Sequence, residues 1–385
     1  MSKWEWKKLK DICEKGSSNI KQSDLKDLTG DYPIFGASGY IQNVDFYQRD
    51  RDYIGIIKDG SGVGRTMLLP AFSSVIGTLQ YILPKEGNDI KFINYALQNI
   101  DFSKSVQGAA IPHIYFKDYG ETEILVPPLS EQKRIVKFLD EEFSKIETLK
   151  TNAETNLKNA KELFETTLEK ELNPLSRHSE RSEESSADLP SGWELKALGD
   201  VCEKISDGSH NPPKGTAANE YKMLSSKNIF NDSLNFDDPR FLTKEEFDLE
   251  NKRTNVKKGD ILLTIVGTIG RCCVFLEDEP VVFQRSVAVL KPNVSLVYSR
   301  FLMYGIIALN IEKLGRGAAQ KGVYLKQLSN ISIPLPPLSV QKEIVARLDK
   351  LSENVKRLEA NYKQITANCD ELKKSILKKT FEGES

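Results

Sequence analysis

The sequence predicts an α+β protein: two globular domains separated by two long antiparallel α-helices that form a coiled coil, with a pseudo-two-fold internal repeat. Three observations predict it. First, "WEWKKLKDICEK" (Trp4 to Lys15) matches "WELKALGDVCEK" (Trp193 to Lys204) at 8 of 12 positions, and "ILVPPLSEQKRIVKFLD" (Ile124 to Asp140) matches "IPLPPLSVQKEIVARLD" (Ile333 to Asp349) at 11 of 17. Second, each copy opens with short β-branched runs bounded by Gly, Pro and Asp. Third, each copy closes with a long stretch whose apolar residues recur in steps of three and four. The copies are offset by 189 residues at their start and 209 at their end, so the second carries about twenty extra residues in its interior.

The first globular domain is read over residues 1–128. "DYIGIIKDG", "RTMLLP" and "SSVIGTLQYILPK" are strands, and "DIKFINYALQNI" has helical spacing. "DGSGVGR" (Asp59 to Arg65) resembles a phosphate-binding loop, but strand-like residues and Pro70 follow it where a helix N-terminus is needed, so it is a tight turn between strands. The second domain, residues 193–337, has strands in "GDILLTIVG", "RCCVFLE" and "VVFQRSVAVLKP", a matching turn "VGTIGR" (Val266 to Arg271), and a helix from about Ser295 to Leu314.

Long helices occupy 129–172 and 338–385. In the repeated Pro-Pro-Leu-Ser, proline stops the strand side and Ser130 or Ser339 is placed to cap the helix N-terminus. The first apolar stripe runs through Ile135, Leu139, Phe143, Ile146, Leu149, Ala153, Leu157, Ala160, Phe164, Leu168 and Leu172. The second runs through Ile344, Leu348, Leu351, Val355, Leu358, Tyr362, Ile365, Cys369, Leu372 and Ile376. A helix of this length spans roughly 64 Å. The polar Ser/Glu/Arg-rich linker at 173–192, at most about 66–72 Å when stretched, barely returns along such a helix, which favours an antiparallel pair.

Several chemistries are disfavoured. Cys13, Cys202, Cys272, Cys273 and Cys369 contain no C-x-x-C pair and are joined by only three histidines, against a zinc site. Cys272 and Cys273 sit in a strand-like run and read as buried small hydrophobes. "NPPK" (Asn211 to Lys214) has lysine where base-modifying methyltransferases place a stacking aromatic, and no glycine-rich cofactor loop opens a helix. No catalytic site can be assembled. The N-terminus lacks a signal-peptide run and "FLMYGIIAL" is too short to span a bilayer, so the cytoplasm is the expected compartment.

Charge is close to balanced in every segment: Lys/Arg against Asp/Glu is 15 to 16 over 1–128, 10 to 14 over 129–188, 19 to 17 over 189–337, and 10 to 8 over 338–385. None of these can hold DNA by charge alone. What remains is a set of Gly-rich polar loops whose side chains suit base edges, Arg and Lys for guanine and Gln and Asn for adenine. In the first domain these supply Ser38, Lys58, Arg65, Gln107 and His113. In the second they supply Ser209, His210, Asn211, Lys214, Arg271, Gln284, Arg285, Arg316, Gln320 and Lys321.

The duplicated domain with its "PPLSEQKRIV" helix, together with "LGDVCEKISDGSHNPPK" and "FQRSVAVLKP", resembles the specificity subunit of type I restriction-modification systems over nearly the whole chain. The resemblance implies two target-recognition domains, each reading half of a gapped duplex-DNA sequence, with the helices as a ruler. It also implies modification subunits, two of them, carrying S-adenosylmethionine, restriction subunits using ATP and Mg²⁺, and no catalysis or cofactor in this chain. Gln132, Lys133, Gln341 and Lys342, in the matching helix starts, are the candidates for the assembly surface. Competing readings are a coiled-coil scaffold with two non-DNA ligand domains and, less favoured, a free-standing methyltransferase.

Overall fold

A computed structural model describes residues 4–108, 111–172, 189–314 and 322–382. The chain divides into two compact units, Met1–Glu154 with Asn361–Ser385, and Thr155–Ala360, so both unit boundaries fall inside long helices.

In the first unit a four-stranded antiparallel sheet has the order Cys13–Ser17, Leu79–Pro84, Tyr53–Ile57, Thr66–Leu69. A three-stranded sheet joins Gly39–Val44, Tyr32–Gly36 and Ser74–Val75, the last pair being parallel. The second unit repeats this plan with Cys202–Asp207, Val287–Pro292, Ile261–Thr264 and Cys272–Val274 in one sheet, and Arg240–Phe241, Lys222–Leu224 and Val281–Phe283 in the other, again with a parallel pair. In both copies an antiparallel two-stranded ribbon ties the start of the unit to the strand before the long helix: Glu5–Lys8 with Glu123–Val126, and Glu194–Ala197 with Ser332–Leu335. The central strands Tyr53–Ile57 and Ile261–Thr264 are buried along their whole length, as expected of strands covered on both faces. Most of the second copy's extra length precedes its glycine turn. It forms the hairpin Ile229–Phe230/Ser233–Leu234 and the helix Lys244–Thr254, whose start is a capping box between Thr243 and Glu246.

Two sequence expectations change. "VVFQRSVAVLKP" is two strands, Val281–Phe283 and Val287–Pro292, because the Gln284 N–H donates to Leu224 O and the Arg285 N–H to Ser209 O, which turns the chain from one sheet into the other. The helix expected from Ser295 is Ser299–Ala308 followed by a 3₁₀ turn at Ile311–Leu314, with Asn310 in the left-handed region between them.

The long helices are Leu129–Leu172 and Leu338–Glu382. They begin one residue before Ser130 and Ser339, which therefore lie within the first turn and are not its caps. Gln132 N–H reaches Pro128 O, and Gln341 N–H reaches Pro337 O. Within each unit the two helix segments pair antiparallel. Lys150 Nζ meets Asp370 at 2.6 Å and Lys373 meets Glu147 at 3.2 Å in the first, while Lys161 meets Glu359 at 2.6 Å and Arg347 meets Glu171 at 2.8 Å in the second. Each unit thus packs the start of its own long helix and the end of the other copy's into its core. Ile135, Val136, Leu139, Leu377 and Phe381 join Phe92 and Ile93, and Ile344, Val345, Leu348, Leu168 and Leu172 join Phe301 and Leu302. Leu149 and Leu372, expected on the stripes, are instead 57% and 47% exposed. Lys150 takes the inward place beside the first, where its ammonium still reaches Asp370.

Gln132 and Gln341 are buried to 1% and 0% exposure, so they are not an assembly surface. Gln132 Oε1 accepts the Asp89 N–H at 2.7 Å and its Nε2 donates to Pro127 O at 2.9 Å; Gln341 Oε1 accepts the Tyr298 N–H at 2.8 Å, and its Nε2 donates to Pro336 O and Leu296 O at 2.8 and 3.0 Å. A carboxylate about two helical turns further on repeats the attachment. Asp140 takes Lys91 and Tyr95, and Asp349 takes Arg300 and Tyr304. Arg300 also pairs with Asp232, which accepts from Lys356 of the long helix as well. Burial opposes ionisation of Asp232, but the hydrogen bonds from Lys356 and Arg300 outweigh it and hold its carboxyl below the ordinary value.

Two outcomes follow from these attachments. Gln341→Leu strands one buried N–H and two carbonyls, and urea unfolding should show a loss of about 2–4 kcal/mol, whereas the exposed neighbour Lys342→Ala stays within about 0.5 kcal/mol. Because the Asp232 carboxyl is depressed, its contribution is present above the unfolded value of about 3.9 and is lost as pH falls through the lower folded value. Thermal melts below about pH 4 should therefore fall more steeply for the wild type than for Asp232→Asn.

Candidate nucleic-acid interface

In each unit the glycine turn is closed by the same pair of backbone bonds. Ile57 N–H donates to Arg65 O and Gly64 N–H to Ile57 O in the first; Thr264 N–H donates to Arg271 O and Gly270 N–H to Thr264 O in the second. Positive φ at Gly60 and Gly64, and at Gly267 and Gly270, is why glycine stands there. The sequence expectation of a turn between strands holds.

In the first unit the turn is buttressed by a loop that returns to it. Ile114 N–H reaches Lys58 O at 3.0 Å, Gly60 N–H reaches Pro112 O at 2.9 Å, and Gln107 and His113 exchange two backbone bonds of 2.8 Å. Lys58, Gln107 and His113 are therefore brought to one place, with Asp59 bridged to His113. Lys58 pairs loosely with Asp59 at 3.8 Å, Gln107 donates to Asp118 at 3.0 Å, and the His113 ring lies edge-on to Tyr115. Arg65 is exposed beside a cleft of about 620 Å³ lined also by Asp101, Phe102 and Val106. Ser38 is exposed in the hairpin of the other sheet and is not joined to this cluster by any hydrogen bond among the described residues.

In the second unit Ser209, Gln284 and Arg285 are brought together. Ser209 N–H donates to Phe283 O at 2.8 Å, and Ser209 O accepts the Arg285 N–H at 2.9 Å. Arg285 is exposed and its guanidinium has no hydrogen-bond or ion-pair partner among the described residues, whereas Arg253, Arg300 and Arg347 are each held by a carboxylate. Asn211 and Lys214 are exposed in the following loop, which Arg240 anchors through Pro213 O. His210 is tethered at 2.7 Å to Asp207, which Arg253 also grips. Burial works against the Asp207 charge, but these two partners outweigh it and depress its carboxyl. Arg271 lies over the Phe230 ring and lines a cleft of about 700 Å³ whose other charged walls are Glu165, Glu169 and Glu312, a setting that repels phosphate. Arg316, Gln320 and Lys321 lie outside the described residues.

Sequence reasoning missed Asp207, Gly208 and Arg253. The signal for the helix that delivers Arg253 is the Thr243-x-x-Glu246 spacing. At Gly208 a Cβ would overlap the Phe283 carbonyl, so the chain can pass the turn only as glycine. Cys272 and Cys273 are buried, as read, and burial pushes the Cys273 thiol up to about 12. Among the described residues no group of three or more His, Cys, Asp or Glu could hold a metal ion, and no helix is long and apolar enough to cross a membrane.

The model of the type I restriction modification DNA specificity domain matches residues 1–159 and 190–367. The chain belongs to this family. Among its relatives, the specificity subunit of the type I restriction enzyme EcoBI from Escherichia coli is 26% identical over 73% of this chain, though the match spans only 62% of that protein. The MjaVIII specificity subunit of Methanocaldococcus jannaschii is 24% identical, the match covering 99% of this chain and 92% of the relative. Two solved structures share the fold. The HsdS subunit from Thermoanaerobacter tengcongensis has a TM-score of 0.56 at 20% identity, covering 99% of this chain and 97% of its own. A chain from a type I restriction-modification system, solved in work on its complex assembly and conformational transition, has a TM-score of 0.69 at 20% identity, with 98% and 97% covered.

Gly208→Ala should open the turn at Ser209. We expect a loss of about 1–3 kcal/mol and faster amide hydrogen exchange at Ser209 and Arg285, with the Ile57 and Gly64 amides of the first unit unchanged.

Proposed function

We propose that this chain is the DNA-reading, non-catalytic subunit of a type I restriction-modification complex, each of its globular domains reading one part of a two-part, gapped duplex target. The single observation that carries the reading is the recurrence, in both copies of a specificity-family domain, of one braced turn that presents polar side chains with their own backbone already satisfied. Such a turn can offer hydrogen bonds to base edges without losing any of its own.

The balanced charge supports a division of labour. Affinity for duplex DNA rests largely on phosphate neutralisation, and this chain has no basic excess to provide it. Modification subunits, two per chain, would supply phosphate contacts, bind S-adenosylmethionine and methylate the base; restriction subunits would supply ATP- and Mg²⁺-dependent cleavage. Lys133 and Lys342, exposed beside the buried glutamines, remain candidates for the assembly surface, and the cytoplasm remains the expected compartment.

The test is selection from a random duplex-DNA pool by the chain co-purified with its methyltransferase subunit, followed by sequencing. A two-part motif with a fixed gap is expected. Absence of enrichment from a folded complex would overturn the reading in favour of a scaffold with non-DNA ligands.

A further inference from the structure

The two domains share more than a fold. Seven backbone hydrogen bonds around the glycine turn occur in equivalent pairs. Beyond the two that close the turn, Lys58 N–H to Thr78 O matches Ile265 to Ser286, and Ile76 to Phe35 matches Gln284 to Leu224. Gly77 to Ile20 matches Arg285 to Ser209, Leu79 to Ile76 matches Val287 to Gln284, and Ile114 to Lys58 matches Val323 to Ile265. The isolated bridges Asp59 to His113 and Val266 to Gly322 match as well. This set aligns the copies residue by residue with no appeal to sequence identity.

The side chains on this common frame are exchanged. One limb of it holds Ile20, Ile76 and Gly77 in the first domain but Ser209, Gln284 and Arg285 in the second. The opposite limb holds Lys58, Asp59 and His113 in the first domain but Ile265, Val266 and Gly322 in the second. At these six positions, wherever one copy offers a hydrogen-bonding side chain the other offers an aliphatic one or none, whereas Arg65 with Arg271 and Thr78 with Ser286 stay polar in both. The two limbs are joined where adjacent strand ends meet, through the bonds Lys58 to Thr78 and Ile265 to Ser286.

Resting on the DNA-reading function proposed above, we infer that the domains read bases from opposite limbs of the frame: Gln284 and Arg285 determine the second domain's half-site, and Lys58 and His113 determine the first's. Arg285 carries a planar fork with no partner among the described residues, the geometry that pairs with guanine O6 and N7, and Gln284 beside it has the paired donor and acceptor that suit adenine. Lys58 is a single-point donor whose 3.8 Å contact with Asp59 is easily given up, and His113 has its Nδ1 on Ile111 O at 3.3 Å and no hydrogen bond to Nε2 among the described residues. The exchange explains how one scaffold holds two readers that need not prefer the same bases.

The test compares variants of the full chain, each co-purified with its methyltransferase subunit, in the same selection, with melting temperature as the check on folding. Arg285→Lys keeps the charge but loses the fork, so discrimination at one base position of one half-site should fall by about tenfold or more, with the other half-site unchanged. Gln284→Ile with Arg285→Gly, which installs the first domain's residues, should erase further positions of that same half-site. Lys58→Ile should relax only the other half-site. A wild-type two-part motif that survives Arg285→Lys and the double substitution unchanged would overturn the inference while leaving the DNA-reading function standing. Loss of both half-sites in a variant that melts like the wild type would also overturn it. A wild-type complex that enriches nothing would remove the function on which it rests.

Discussion

A single buried amide in each copy sets where everything else can go. Gln132 and Gln341 stand just after a Pro-Pro pair, and proline supplies carbonyls without N–H groups, so the strand that enters each long helix arrives with an acceptor facing inward. The glutamine Nε2 takes that acceptor, while Oε1 takes the backbone N–H at the start of the domain's own helix, at Asp89 or Tyr298. One side chain thereby ties together a strand end, a loop and two helix starts. Because it is fully buried, any shift of the helix leaves a polar atom unpaired, and that penalty fixes the helix on its domain. The carboxylates Asp140 and Asp349 then pin the same face further along.

With the helix start held, the apolar rows beyond it can close the core. Leu139 and Leu348 are wholly buried against their domains, and the far ends of the partner helices, at Leu377 and Phe381 or Leu168 and Leu172, complete the same clusters. Within each unit the paired helix segments also carry exposed ion pairs, which contribute little individually.

The glycine turns are held by backbone bonds, joined in the second unit by the Thr264 hydroxyl, which accepts the Arg271 N–H at 2.9 Å, and not by the side chains of the candidate base readers. Their backbones are satisfied by the frame itself, so Ile76-Gly77 and Gln284-Arg285 are equally compatible with it. That independence separates folding from recognition: a surface can change what it reads without disturbing what holds it. The inserted helix Lys244–Thr254 extends the same logic, adding Arg253 to grip Asp207 and steady the neighbouring loop without altering the sheet.

The repeat, the α+β class, the strands around the glycine turns and the two long helices are all legible in the sequence, because each depends on local spacing, proline and glycine placement, or internal identity. Periodicity also located most of the buried stripe. It could not show that Leu149 and Leu372 face outward, since that depends on where Lys150 finds Asp370 on a helix some two hundred residues away. Nor could it show that the repeated glutamine is interior: a polar residue in a first turn reads as surface until the partners that satisfy it, Asp89 and Tyr298, are brought beside it by folding. Candidate base readers were recognisable by type alone, and their grouping was not. Lys58 meets His113, and Ser209 meets Arg285, only through backbone hydrogen bonds between segments far apart in the chain, and such bonds leave no mark on side-chain identity. The sequence by itself determined the elements and their duplication; the tertiary structure alone decided which polar groups are buried as clasps and which are left free to bind.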